Sequence, residues 1–324
     1  MATLTSSQSH DVDDQAQALN GFRQFYEQLG CGRFHGRVWQ VMMDAGFLLR
    51  EASNRSLRQR FSPPPDHVSL AVPLAVRPGS VFAGRPLERE SLMVLSGQEE
   101  YDLVSHGDLD LIGLAVHRDL LETLAPTMAE WLRHAQSERN LPLSPDAAAA
   151  IRLMLMTVFE DAERQIESLA DGAQDMALLS ATLTQTVVLA MSGDAGRQAS
   201  AIPRRADSRM KVVRRAVDFM RAHLQDDIGV PEICTAACAS RRSLQYCFEE
   251  FLHTTPQAYL RALRLNEARR ALKARAGQPI TELASELGFA SASHFTRHYK
   301  LMFDELPSAT LKAYGLNGSG GHGL

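Results

Sequence analysis

Between Pro231 and Pro307 the chain writes one short pattern twice. The first copy runs Ile233-Cys234-Thr235-Ala236-Ala237-Cys238-Ala239-Ser240-Arg241-Arg242-Ser243-Leu244-Gln245-Tyr246-Cys247-Phe248. The second runs Leu283-Ala284-Ser285-Glu286-Leu287-Gly288-Phe289-Ala290-Ser291-Ala292-Ser293-His294-Phe295-Thr296-Arg297-His298-Tyr299. In each, a short small-residue helix leads into a tight turn and then a serine placed to cap a new helix. Apolar residues follow one and two turns further on. Such a segment must bury one face of its second helix and show the other, which is the arrangement of a helix-turn-helix.

With Ser240 as cap, Leu244 and Phe248 share the buried face of the first unit, while Arg242, Gln245 and Tyr246 form a contiguous exposed patch. Arginine suits guanine O6 and N7, glutamine suits adenine N6 and N7, and tyrosine reaches a phosphate or a thymine methyl. In the second unit Ser291 is the cap and Phe295 and Tyr299 the core pair. There Ala292, Ser293, Thr296 and Arg297 are the expected base-facing residues. Ser240, Arg241, Ser291, His294 and Lys300 are expected toward the phosphate backbone. The intervening helix from Pro256 carries Arg261, Arg264, Arg269 and Arg270, with Arg261 and Arg264 the leading phosphate candidates.

Charge divides the same way. Residues 204–316 hold 18 Lys/Arg against 12 Asp/Glu, and the rest of the chain holds 16 against 26. A basic module joined to an acidic one fits a nucleic-acid reader coupled to a domain with another task. The 45% hydrophobic content is that of a globular protein, and no apolar run approaches the ~20 residues of a membrane span. The opening residues lack the apolar core of a secretion signal, so the expected location is the cytoplasm. Cys31, Cys234, Cys238 and Cys247 have neither zinc-type spacing nor disulfide density.

Toward the N-terminus, apolar residues come in short runs broken by Gly and Pro. Arg37–Met43, Gly46–Arg50, Val68–Val76, Ser91–Leu95 and Leu109–Val116 read as strands, predicting a small antiparallel barrel or sandwich. Helical spelling begins at His117–Leu124 and dominates from Ser144, with amphipathic helices over Ala147–Leu169 and Gln174–Met191. The fold class expected is α+β. A disordered tail (1–20) precedes a strand-rich sensor and dimerisation domain (21–192) and a linker (193–208). An all-α domain of two helix-turn-helix units (209–316) and a flexible tail (317–324) complete the chain.

Residues 209–316 resemble the DNA-binding domain of the AraC/XylS transcriptional regulators. The matching strings are Ser240 to Phe248, Pro256 to Leu272, Ile280-Thr281-Glu282-Leu283-Ala284, Gly288-Phe289 and Ser293-His294-Phe295. The resemblance covers the last third of the chain; the first 200 residues share only the layout of the family's sensors. It implies a seven-helix DNA-binding domain, a small-molecule effector, a homodimer, activation through RNA polymerase, and no cofactor. The wording around Arg241-Arg242-Ser243 is most similar to regulators of amine-utilisation operons, ethanolamine among them, which implies an amine effector. Three positions depart from the family pattern. Cys238 stands where the first turn usually has Gly, and His253 and Asp304 replace the Gly that precedes Pro256 and Pro307.

Trp39, Phe47, Phe61, Phe82 and Tyr101, together with the acidic residue Glu99, are the candidate effector contacts. Two other readings compete with the ligand-responsive regulator: a barrel-type metal enzyme with a DNA-binding tail, and a DNA binder without a small ligand. Against an enzyme, the chain has no nucleophile elbow, no phosphate-binding glycine loop and no paired metal ligands.

Overall fold

The computed structural model describes residues 2–164, 172–192, 204–274 and 278–315. The chain forms two compact units: Met1–Tyr26 with Phe34–Ala201, and Glu27–Arg33 with Ile202–Leu324.

The first unit is strand-rich. In chain order it contains β1 (Thr3–Ser9), α1 (Val12–Ala18), β2 (Arg23–Gln28), β3 (Gly36–Met43), β4 (Gly46–Ser53), β5 (Leu57–Ser62), β6 (His67–Val76), β7 (Val81–Phe82), β8 (Arg85–Pro86), β9 (Ser91–Ser96), β10 (Tyr101–Ser105) and β11 (Leu109–His117). A 3-10 turn (Arg118–Thr123), α2 (Pro126–Glu138), β12 (Asn140–Pro142), α3 (Pro145–Arg164) and α4 (Gly172–Ser192) follow. The last two residues of β2 belong to the second unit.

Two sheets result, one ordered β1-β3-β4-β11-β6-β9-β12 and the other β2-β5-β10-β7-β8. The first sheet has apolar residues on both faces. One face, with Val41, Leu48, Leu70, Val94, Ile112 and Leu114, packs on Ile151, Leu155 and Phe159 of α3 and Leu179, Leu183 and Val187 of α4. The other, with Ala71, Met93, Leu95 and Leu111, shares a core with Phe61, Phe82, Tyr101 and Leu103 of the second sheet. Strands buried on both sides read as near-continuous apolar runs, which is why these were legible in the sequence.

The expected disordered tail at 1–20 is corrected. β1 pairs with β3 from Thr3↔Met42 to Ser9↔Gly36, and Asp11 caps α1 by accepting from Asp13 N at 2.9 Å. A polar edge strand is held by its backbone ladder, so hydrophobic patterning does not reveal it. The short strands β2, β5, β7, β8, β10 and β12, and the helix α2, were likewise not expected.

The second unit is a run of helices: α5 (Arg204–Ala222), α6 (Val230–Ala237), α7 (Arg241–Leu252), α8 (Pro256–Ala274), α9 (Ile280–Glu286), α10 (Ala292–Phe303) and α11 (Pro307–Gly315). The expected linker is corrected where α5 already covers residues 204–208; its remainder, and the expected tail from 317, lie outside the described residues. α8 is buried nearly all round, and that sets its role. Tyr259 meets Phe248 of α7 edge-on at 5.7 Å, while Leu265, Ala268 and Leu272 join Leu283, Phe295 and Tyr299 in the second core. By joining both cores α8 holds its neighbours in register, while Arg261, Arg264, Glu267 and Arg270 keep half-buried positions along it.

Candidate functional site

Both repeated segments form a short helix, a turn and a capped second helix. α6 ends at Cys238, which adopts the left-handed conformation (φ 51°, ψ 45°). Ser240 then caps α7 by accepting from Ser243 N at 3.1 Å. α9 leads through Gly288 (φ +67°) to Ser291, which caps α10 by accepting from His294 N at 3.2 Å. The left-handed residue turns the chain out of the first helix, and the serine satisfies an orphan N–H of the next. His253 and Asp304, which end α7 and α10, are also left-handed, at φ 47° and 57°.

On α7, Leu244, Cys247, Phe248, Phe251 and Leu252 are buried. Arg241, Arg242, Ser243, Gln245, Tyr246 and Glu249 are exposed. The guanidinium of Arg209 lies 5.8 Å from the Tyr246 ring centroid and is anchored by Glu250 at 2.8 Å. This extends the basic face beyond the helix itself. On α10, Phe295, Tyr299, Met302 and Phe303 are buried, while Ser293, His294, Arg297 and Lys300 are exposed. Ala292 and Thr296 are half-buried, so their side chains sit at the margin of that face. His298 approaches His294 with Nε2 atoms 3.0 Å apart. Burial, then the nearby Arg261, His294 and Arg297, push the His298 imidazole below its ordinary range.

Two arginines of α8, one of them the expected phosphate contact Arg264, have partners inside the unit. Arg264 donates to the carbonyls of Leu224 at 3.0 Å and Asp226 at 2.7 Å, buttressing the turn after α5. Arg269 is buried, bonded to Glu305 and, at 3.3 Å, to Tyr299 Oη, with Phe303 beneath it. Tyr299 also meets Thr310 of α11 at 2.9 Å, and burial drives its phenol up to about 12. This network ties α10 to α8 and α11. Arg270 pairs with Glu267 at 3.7 Å along the same helix, and Arg261 is half-buried near His298. Arg264 and Arg269 are thus engaged within the unit, while Arg261 keeps a half-buried position along α8.

The segment Glu27–Arg33 was missed as part of this unit. Glu27 forms a buried ion pair with Arg221 at 2.7 Å and accepts from Tyr259 Oη at 3.2 Å. Gln28 Nε2 donates to Met302 O at 2.7 Å, and Gly32 N donates to the same carbonyl at 3.0 Å. Leu29 packs on the second core. These residues carry no motif, because their partners lie more than 190 positions away.

In the first unit a cavity lies between the sheets, lined by Leu19, Leu49, Leu70, Met93, Leu95, Leu103 and Leu111 with Tyr26, Glu51, Gln59 and Ser69 among its polar groups. Of the six effector candidates, Phe61 alone is on its wall. Phe82 and Tyr101 stack with Phe61 in the core, and Tyr101 Oη accepts from Ser96 N at 2.7 Å. Phe47 is core, and Trp39 is sandwiched between Arg37 and Arg50, each 5.0 Å from its ring centre. Glu99 pairs with Arg139 at 2.8 Å, and its neighbour Asp102 with Arg58 at 2.6 Å. Their carboxylates are already matched by cations. Glu51, also on the wall, is not among the sequence candidates, although it breaks the apolar alternation Phe47, Leu49 along β4. Among the described residues no group of three or more His, Cys, Asp and Glu side chains is placed to hold a metal. No described helix is long and apolar enough to cross a membrane.

Residues 233–313 match a helix-turn-helix domain family. The chain is 36% identical over 103 residues to the "Probable thc operon regulatory protein" of Rhodococcus erythropolis, covering 31% of each chain. It is 25% identical over 249 residues to the HTH-type transcriptional regulator GbdR of Pseudomonas aeruginosa, covering 72% of this chain and 64% of that one. The match thus spans about a third of the first relative and under two thirds of the second. A solved AraC-type transcriptional regulator from Chromobacterium violaceum is 30% identical, with 34% of this chain and 96% of that one covered at a TM-score of 0.31. None of these relatives is named as an enzyme. Two serine-capped, left-handed-turn units agree with this match: residues 233–313 form a helix-turn-helix domain similar to that of AraC/XylS-type transcriptional regulators.

Proposed function

We propose that the protein is a ligand-responsive, sequence-specific activator of a small-molecule catabolic operon. The observation that carries this reading is the pair of exposed polar faces on α7 and α10, each fixed by a serine cap and a buried aromatic or aliphatic pair. In this reading Arg242, Gln245 and Tyr246 read bases in one half of the site, and Ser293 and Arg297 read the other, with Ala292 and Thr296 at the edge. Ser240, Arg241, Ser291, His294, Lys300 and Arg261 meet phosphates. Two such helices entering successive major-groove segments sit about 34 Å apart along the duplex.

The first unit takes the effector, an amine by its family resemblance, and pairs with its twin. Leu153, Met176, Val188 and Met191 on α3 and α4 are exposed apolar residues that support pairing. Activation then proceeds through contact with RNA polymerase in the cytoplasm. An effector shifts the active population only by binding the active state more tightly. Selection of binding sites from random DNA, followed by footprinting, tests the reading. Two protected segments roughly 10 base pairs apart on one face are expected, and protection without sequence preference would overturn it.

A further inference from the structure

Along β4 the side chains alternate between two cores. Leu48 faces the helices and Arg50 pairs with Asp110 at 2.7 Å. Leu49 and Glu51 face the cavity between the sheets. Glu51 therefore stands where an apolar side chain is expected. It is only 8% exposed, and its carboxylate accepts from Gln15 Nε2 at 3.0 Å and from Tyr26 Oη at 2.9 and 3.1 Å. No Lys, Arg or His is among the residues lining the cavity. Burying a carboxylate without a cation costs several kcal/mol, which the two neutral donors only partly offset. Burial accordingly pushes the Glu51 carboxyl above its ordinary range.

A second observation points into the same space. Ser69, 1% exposed, lines the cavity with a hydroxyl that has no hydrogen-bond partner among the described residues, and the side-chain oxygen of Gln24 is in the same position. Buried polar atoms in native structures are normally satisfied, so an unfilled hydroxyl and an unfilled amide oxygen beside a carboxylate without a cation leave a place for a donor. A group with several N–H bonds and a positive charge completes all three. A second carboxylate would add to the buried charge, and a neutral alcohol would leave it unmatched.

We propose that this cavity binds a short-chain organic ammonium ion. Its N–H groups are received by Glu51, with Ser69 Oγ and Gln24 Oε1 as further acceptors, and its alkyl part lies against Leu49, Met93 and Leu103. This deepens the ligand-responsive reading, on which it rests for its regulatory meaning. The free space is about 40 Å³, against the ~10–15 Å³ needed on that measure to seat one water molecule. That restricts the ligand to a few non-hydrogen atoms unless a wall yields. Met93, unbranched and adaptable, is the wall residue best able to do so.

The test is isothermal titration of the full chain with methylammonium, ethylammonium and propylammonium chloride, against ethanol and sodium acetate as size-matched controls. Saturable one-to-one binding of an ammonium ion but not of the controls is expected, with at least a tenfold loss in Glu51→Gln. Equal binding of ethanol, or unchanged affinity in Glu51→Gln, would overturn the assignment. So would the absence of any heat with all three ammonium ions. If that variant does not fold, nuclear Overhauser contacts between the ligand alkyl group and the Met93 and Leu103 methyls of the unmodified chain decide the site, and contacts elsewhere reject it. Footprinting is run in parallel: DNA protection without ammonium binding sinks the cavity assignment alone, and ammonium binding without DNA protection sinks the regulator reading alone.

Discussion

Asn266 holds the backbone of Gln28 on both sides. The Gln28 N–H donates to Asn266 Oδ1 at 3.0 Å, and Asn266 Nδ2 donates to the Gln28 carbonyl at 2.9 Å. A side-chain amide here imitates a neighbouring strand, and it does so from a buried position on α8. Asn266→Ala would leave a buried donor and acceptor unpaired, for a loss of ~2–4 kcal/mol. Urea unfolding of the full chain, followed by a probe in the C-terminal helices, should show that loss. A change within error would mean that water replaces the amide.

The same segment governs how the C-terminal unit behaves alone. A fragment of residues 202–324 keeps the helices but loses Glu27, leaving Arg221 without its buried counter-ion. Breaking one side of such a pair costs about 3–5 kcal/mol. The fragment should melt well below the C-terminal transition of the intact chain, and a synthetic peptide of residues 23–34 should raise its melting temperature. A fragment of unaltered stability, indifferent to the peptide, would reject the structural role of this segment.

Arg242→Ala and Arg297→Ala should each cost ~1–3 kcal/mol on the selected DNA site while sparing random DNA. Their effects should localise to opposite halves of the footprint. Arg269→Ala is the contrast: it strips the half-buried Glu305 and the buried Tyr299 of a partner and should lower the melting temperature. Equal losses on specific and random DNA for Arg242→Ala would remove it from base reading.

Cys238, His253 and Asp304 hold left-handed backbone at helix ends. Left-handed geometry costs an L-residue ~1–2 kcal/mol, and glycine returns part of that as greater freedom in the unfolded chain. Each change to Gly should therefore stabilise by a few tenths to about 1 kcal/mol, least for Asp304, since aspartate tolerates this region. Gly288→Ala should act oppositely, because a Cβ there meets Arg264 Nη1 at 2.9 Å. Thermal melts of the four variants check the signs.

His298 supplies a pH dependence. Its imidazole is held below its ordinary range, so near neutrality the folded chain leaves it uncharged. Phosphates placed beside Arg261 and Arg297 would relieve that repulsion and raise it, so DNA binding takes up a proton. Affinity should strengthen as pH falls from about 7.5 toward 6, around the ordinary histidine range. Stability of the free chain runs the other way: the unfolded chain protonates first, so stability declines as pH drops below about 6.5. Fluorescence anisotropy across this range, with His298→Gln removing the slope, tests the assignment.

The helix-turn-helix units were legible in the sequence because every determinant is local. Cap, turn residue and apolar spacing all lie within one twenty-residue window, as Ser240 with Leu244 and Phe248 shows. The doubly buried strands of the first sheet were legible for the same reason. Glu51, Ser69 and Gln24 are separate residues on three strands, and only the pairing of the sheets brings them to one cavity. Gln28 and Asn266 are 238 positions apart, and Arg264 and Arg269 look as available as any arginine until the carbonyls of Leu224 and Asp226 and the carboxylate of Glu305 are seen to hold them. Short-range periodicity determines which face of a segment is apolar. What covers that face, and which polar groups are enclosed with it, is decided by long-range packing alone, because burial is a property of the neighbours.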